Sequence, residues 1–390
     1  MAEFEILNGK LKRYIGKDPS PVIPEDVTAI GGSVFEGSKT LTEMIIPEGI
    51  TVIGNSAFKG CINLTRVTIP DTVTKIDISA FEKCTALEEI VIPDGVTHID
   101  CAAFKQCTNL KKIRLSASLT AIRKDVFYEC EALTDVNIPS GVTQIGKSAF
   151  YGCISLISVT LPETLREIHD AAFQGCESLA EVIVPDSVTA IGQQAFYSCT
   201  SLSRIVLSKR VQRINSECFA LCLSLKEAVI PEGVTAIARS SFAHCDTLTE
   251  IALPSTVTEI AKKAFITAAQ LKKIFVSPNK LPLLTEPAVF LAGVNGCLQM
   301  LDEGKLTEDN LCVLIKRISE NVGQIIKVSK TPDATVRLLT ERKLLTVEAA
   351  QSAIECFNSP ETRAILIIYI NQNRPKDENG TDKFLINDIL

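Results

Sequence analysis

Cysteine is the most frequent residue type here that could do chemistry: fourteen in 390 residues, against three histidines. His98-x-x-Cys101 and Cys218-x-x-x-Cys222 are the close pairs, and neither is matched by a second pair at zinc spacing. A metal centre is therefore not expected. His98, His169 and His244 lie far apart and in different local contexts, and no G-x-S-x-G, P-loop or dinucleotide-binding motif accompanies them. Without a nucleophile, a base and an orienting group that converge, the expectation is a protein that is not an enzyme, with no cofactor and no small-molecule substrate.

Most of the cysteines belong to a pattern. Nine stand at a strict period of 23, from Cys61 to Cys245, each three residues after a phenylalanine. The phenylalanines keep the same period eleven times, from Phe35 to Phe265, and a leucine follows each by six residues, from Leu41 to Leu271. A fixed period of this length marks a repeat architecture, and it points the cysteines inward with the other periodic residues. Buried cysteine behaves as a small hydrophobe, and parallel side chains seldom offer the dihedral a disulfide needs. The ladder is expected to be reduced thiol, which suits a reducing compartment.

Within one unit, Ala80-Phe81 packs one side of the coil. Leu87, Ile90 and Ile92 follow the spacing of a short strand whose alternate residues share a face. Pro93 ends that strand, Asp94-Gly95 turn the chain, and Val96 and Ile99 return it to the core. A single coil cannot bury this face alone, so the coils must stack. Phe4 to Ile15 reads as a hairpin around Asn8-Gly9, placed where the open end needs a cap.

Residues 22–277 resemble the BspA-type leucine-rich repeats, through I-P-x-x-V-T-x-I-x-x-x-A-F-x-x-C-x-x-L. Val184 to Leu202 follows this pattern almost letter for letter. The resemblance implies a repeat solenoid: a right-handed leucine-rich-repeat array of eleven 23-residue coils with short parallel strands. It also implies protein binding, since the family includes bacterial surface proteins and adhesins that bind host proteins. The expected organisation is an N-terminal β-hairpin cap (1–21), the solenoid (22–278), a small α-helical domain (279–373), and a polar linker with a short apolar tail (374–390). The helical domain is read from Leu311, Leu314, Ile315, Ile318 and Val322 and from the helix starts at Thr307, Thr331-Pro332, Thr346 and Ser359-Pro360.

Composition narrows the partners. Hydrophobic residues at 46% and charged residues at 22% exclude bulk disorder. A net charge of −6 argues against nucleic acid as the partner. No apolar run approaches the ~18 residues of a membrane span. Met1 to Leu7 lacks the basic and apolar regions of a secretion signal, so the expected location is cytoplasmic, with the cell surface or secretion as the alternative for a chain whose leader has been removed. The glycosylation sequons Asn63-Leu-Thr65 and Asn379-Gly-Thr381 are near chance frequency.

Binding should be written where the repeat varies. The outward strand position carries Ile183, Val206 and Val229 on consecutive coils, an exposed apolar strip with Glu181, Arg204 and Glu227 beside it. Two coils replace the usual Pro-acidic pair, at Ser116 and Ser208, and basic residues gather near both: Lys111, Lys112, Arg114, Arg123 and Lys124 around the first, Arg204, Lys209, Arg210 and Arg213 around the second. The candidate partner-binding residues are Ile183, Val206, Val229, Arg204, Lys209, Arg210 and Arg213. The expected function is a protein–protein interaction scaffold with a partner of unknown identity. The alternatives are an adhesin of the same fold and a regulatory or assembly subunit that recruits through the helical domain.

Overall fold

In a computed structural model, residues 4–357 and 359–373 are described; the expected linker and tail at 374–390, with Asn379, lie outside them. The chain divides into two compact units, one of Met1–Leu248 with Glu259–Gln270, the other of Thr249–Thr258 with Leu271–Leu390.

The first unit is a solenoid whose rungs repeat the sequence period. Eleven two-residue strands, from Ala29–Ile30 to Glu259–Ile260, line one side. Three-residue strands such as Glu89–Val91 and Glu181–Ile183 line another. Paired strands run parallel, and the register advances one repeat per rung: Ile30 faces Ile53, Ile53 faces Ile76, and Ile76 faces Ile99. The middle residue of each three-residue strand points in and its neighbours point out, as at Glu181, Val182 and Ile183.

The phenylalanine column runs through the unit as a continuous stack. Ring centroids from Phe35 to Phe265 are 5.0 to 5.8 Å apart with interplanar angles of 1° to 23°. These spacings exceed the ~4.8 Å between strands, so the near-parallel rings are offset, the arrangement their quadrupoles favour. Burying ~150 Å² per ring contributes about 4 kcal/mol per rung before entropy is subtracted. Strands Phe4–Leu7 and Lys10–Tyr14 form the expected antiparallel hairpin, with Asn8 and Gly9 at positive φ. It caps the array twice over: Leu11 pairs in parallel register with Ile30, and Tyr14 places its ring 5.2 Å from Phe35.

The cysteine column has a role beyond volume. Each Sγ, from Cys61 to Cys245, donates to the carbonyl of the phenylalanine 26 residues earlier, at 3.0 to 3.3 Å. Alanine would fill less space and leave that acceptor with one partner fewer; a disulfide would remove the donors. Burial pushes the thiols of Cys61, Cys107, Cys199 and Cys245 up to about 12.

The second unit contains the parallel strands Glu250–Ala252 and Lys273–Phe275. A 3-10 turn at Pro278–Leu283 follows, then five helices: α1 Pro287–Asp302, α2 Glu308–Val328, α3 Pro332–Glu341, α4 Val347–Ile354 and α5 Pro360–Asn373. Helix α1 covers the last strand. Asn295 donates to the Lys272 carbonyl at 3.2 Å and Cys297 to that of Val276 at 3.2 Å. Gly296 is required there, because a Cβ would stand 2.2 Å from the Ile274 carbonyl oxygen. An open strand edge needs such a cover, and this explains why the compact helical unit reaches back before residue 278. Thr307 and Thr346 cap α2 and α4 by accepting from Asn310 and Ala349. Thr331 does not cap α3 through its side chain, although Pro332 does open that helix. Asp333 in the first turn of α3 instead accepts from Ser359 and Thr362 at the start of α5, which ties the two helix starts together.

Candidate partner-binding surface

The strip lies in one three-stranded sheet formed by Glu181–Ile183, Arg204–Val206 and Glu227–Val229. Ile183 faces Val206 and Val206 faces Val229 on adjacent rungs. Ile183 is 61% exposed and Val229 39%, while Val206 between them is half-buried by its neighbours. Inward contacts are made by Val182, Ile205 and Ala228, so the outward three are not needed for the core.

Arg204 stands two residues before Val206 on the same strand and therefore on the same face. It does not add to the basic spot near Ser208. Its guanidinium reaches Glu181 at 2.6 Å on one side and Glu227 at 3.1 Å on the other, an acid–base–acid ladder beside the apolar strip. These two carboxylates hold its pKa above the ordinary value.

Lys209, Arg210 and Arg213 were expected beside the strip. The structure places them around the next corner of the coil, with Arg213 in the separate sheet of Arg213–Ile214, Ala236–Ile237 and Glu259–Ile260. There they line a cleft of about 560 Å³ together with Thr189, Gln212 and Asn215. Lys209 pairs with Asp186 at 3.1 Å and Arg213 with Glu259 at 3.4 Å. Arg210 makes no ion pair among the described residues.

The two serine coils share one device. The buried Ser116 and Ser208 hydroxyls donate to the carbonyls of Val96 and Val188, both at 2.6 Å. Each then accepts from the backbone two residues on, from Ser118 and Arg210. The acid of the preceding coil completes the turn: Asp94 accepts from the Ala117 amide at 2.9 Å and Asp186 from the Lys209 amide at 3.1 Å. These hydrogen bonds hold both carboxyls below the ordinary range. Near Ser116 the expected basic spot is largely neutralised, by Arg114 on Asp94 at 2.8 Å, Lys111 on Glu88 at 2.9 Å and Arg123 on Asp100 at 3.6 Å.

One surface column was not singled out from the sequence. The residue after each phenylalanine makes Lys59–Glu82 at 3.1 Å, Lys105 over the Tyr128 ring at 4.4 Å, and a Tyr128–Tyr151 stack at 4.6 Å. The 23-residue period would have aligned these side chains. From Lys59 to Tyr151 these contacts brace one coil against the next.

A second cleft, of about 660 Å³, lies between α2 and α4, lined by Cys312, Ile315, Val322, Ala349, Ala353 and Cys356 among others. Gly323 lies 3.8 Å from the Cys356 sulfur when a Cβ is placed on it, and Cys312 is eleven residues earlier on the same helix, or ~16 Å at 1.5 Å per residue. The two exposed thiols thus mark opposite ends of the groove. Among the described residues no cluster of acids, histidines and cysteines could hold a metal ion, and no helix is long and apolar enough to cross a membrane.

The profile of the BspA type leucine-rich repeat region matches the chain in six copies, over residues 19–134, 120–249 and 213–286. The chain belongs to this family. No curated protein matches it. Among solved structures it is similar to a leucine-rich-repeat protein of Bacteroides ovatus, with 26% identity, 69% of this chain and 83% of that one covered, and a TM-score of 0.50. It is also similar to a leucine-rich cell-surface protein of Faecalibacterium prausnitzii, with 30% identity, coverage of 68% and 89%, and a TM-score of 0.45. A third, the leucine-rich-repeat protein of T. pallidum, has 29% identity, coverage of 50% and 82%, and a TM-score of 0.37. Family and fold are those of repeat proteins, generally scaffolds rather than enzymes.

Proposed function

We propose that this member of the BspA-type repeat family is a non-enzymatic scaffold that binds a protein partner through the strip Ile183, Val206 and Val229. The observation that carries the reading is the alignment of three outward apolar side chains on adjacent rungs, bordered by the Glu181–Arg204–Glu227 ladder. Apolar anchors inside a charged rim are the usual division of labour in protein interfaces. The test is the triple variant Ile183→Ser, Val206→Ser, Val229→Ser in the full chain. It removes no inward contact, so unfolding should change modestly. Affinity for a defined partner should fall about tenfold or more, equivalent to ~1.4 kcal/mol. Unchanged affinity would remove the strip from the interface.

A cell-surface or adhesin role of the same surface is the alternative, and it rests on the F. prausnitzii relative being a cell-surface protein. Recruitment through the helical unit is favoured by the partly apolar α2–α4 groove. Blocking Cys312 and Cys356 with a bulky maleimide should then abolish binding while the strip variant leaves it intact.

A further inference from the structure

The repeats serve as an alignment of the chain with itself, and one coil departs from the others outside while matching them inside. From Ser208 to Ile214 the inward Val211 and Ile214 are kept and buried like their counterparts. Every outward position differs. Where ten other coils place an acidic or small residue, at Glu25, Glu48, Asp71, Asp94, Asp186 and Glu232 among others, this coil has Lys209. Arg210 follows where glycine, serine or threonine is usual. Gln212, like Arg166 two coils earlier, interrupts the threonine column whose hydroxyls donate from rung to rung, as Thr189 does to Arg166 and Thr235 to Gln212. Arg213 completes three cations in five residues. The turn does not need them, since the coil at Ser116 makes the same hydrogen bonds with Ala117 and Ser118 in those places.

We infer that the Lys209–Arg210–Arg213 cleft is a receptor for the carboxylates of an acidic peptide segment, with Arg210 as the anchor. This deepens the proposed function and rests on it, because it assigns chemistry to the segment that crosses the strip. A guanidinium that makes no ion pair can take a carboxylate through two parallel hydrogen bonds. The pairs of Lys209 with Asp186 and Arg213 with Glu259 are solvent-exposed, and such pairs exchange readily for another carboxylate. Gln212 adds an amide to the same walls, while the Thr189 hydroxyl and the Asn215 amide donate to the carbonyls of Arg166 and Ile191 and hold the walls in place. No aromatic ring lines the cleft, so it lacks the stacking platforms on which bases and sugar faces rest. A net charge of −6 further disfavours long polyanions. Val206 and Lys209 are three residues apart, at most ~11 Å along the chain. An extended segment with apolar side chains in one half and acidic side chains in the other can therefore lay the first half on the strip and reach the cleft with the second.

The test uses the full chain and a fluorescein-labelled Glu–Val peptide, a run of Val joined to a run of Glu, with a Gln–Val peptide of the same layout and length as control. Binding is read by anisotropy at low and high salt. The Glu–Val peptide should bind more tightly than Gln–Val by about tenfold, and high salt should narrow that gap. The double variant Lys209→Glu, Arg210→Glu should abolish the preference while thermal unfolding stays unchanged. Equal binding of both peptides by the native protein, or a preference that survives the double variant, would overturn the inference. So would displacement of the peptide by inorganic phosphate or heparin at equal charge concentration, because the cleft would then be a general anion site. If the preference for Glu–Val stands but the triple-serine variant binds both peptides normally, the strip reading falls and the cleft remains an acid receptor. If the triple-serine variant weakens both peptides equally and no preference exists, the strip stands and the cleft does not.

Discussion

The coils that begin at Ser116 and Ser208 are the same object on the inside. Both replace proline with serine, both bury that serine, and both return its hydroxyl to a valine carbonyl of the preceding coil at 2.6 Å. Both keep a phenylalanine on the stack, Phe127 and Phe219, and a cysteine on the ladder, Cys130 and Cys222. Outside they part. The first shows Ala117, Ser118 and Thr120; the second shows Lys209, Arg210 and Gln212. The first is therefore an internal control for the second. It shows that serine at this position is a backbone device and that the cations of the second coil are surplus to it.

Alkaline pH should produce the largest effect, and it should not distinguish the coils. Burial pushes the ladder thiols well above the ordinary thiol range, up to about 12 at Cys107 and Cys199 and in the same direction at Cys130 and Cys222, against ~8.5 when unfolded. Above pH ~8.5 the folded state holds more protons than the unfolded one, so stability falls as pH rises toward 12, by up to ~1.4 kcal/mol per thiol per pH unit. It is fully present below pH ~8. Unfolding melts from pH 7 to 11 would show this as a steep loss, shallower in Cys130→Ala and in Cys222→Ala to the same degree.

Phe127→Ala and Phe219→Ala should each cost ~3–5 kcal/mol, because each leaves a cavity between two stacked neighbours. Denaturant unfolding would test the magnitude, and hydrogen exchange should place the damage mainly in adjacent coils. Ser116→Ala and Ser208→Ala come next, at ~1–3 kcal/mol apiece, since each leaves a valine carbonyl and a turn amide without their partner. Unequal costs would break the equivalence on which the comparison rests.

Much of this was legible because a solenoid converts period into place. Once Phe, Leu and Cys were aligned at 23 residues, the inward face and the outward strip followed, while the hairpin was legible from its own Asn8-Gly9 turn. Distance and pairing did not follow. Arg204 was aligned with Glu181 and Glu227 by the period, but that alignment does not say that its guanidinium bridges both carboxylates. Arg213 looked adjacent to the strip because it is near in sequence, while the corner at Ser208 carries it into another sheet. The thiol-to-carbonyl bonds of the ladder were missed because cysteine was read for its volume alone. The cover of the last strand by α1 was also missed, although Gly296 in an apolar run is a sign of close backbone approach.

Exchanging the cations for their counterparts, Lys209→Ala with Arg210→Ser, should alter stability by no more than ~0.5 kcal/mol, the scale of surface substitutions. A thermal melt would check this. Lys83, exposed and at a φ of 61°, offers a still finer check on the coil geometry. Lys83→Gly relieves a left-handed residue where other coils have glycine, such as Gly60 and Gly152, and should leave stability unchanged or raise it by up to ~1 kcal/mol.

Hydrogen exchange of the full chain, with and without saturating Glu–Val peptide, separates the two serine coils in one experiment, because both report together. Slowed exchange is expected across residues 181–214, with none at the corresponding amides of 112–122. Equal protection of both coils, or protection confined to α2 and α4, would contradict it.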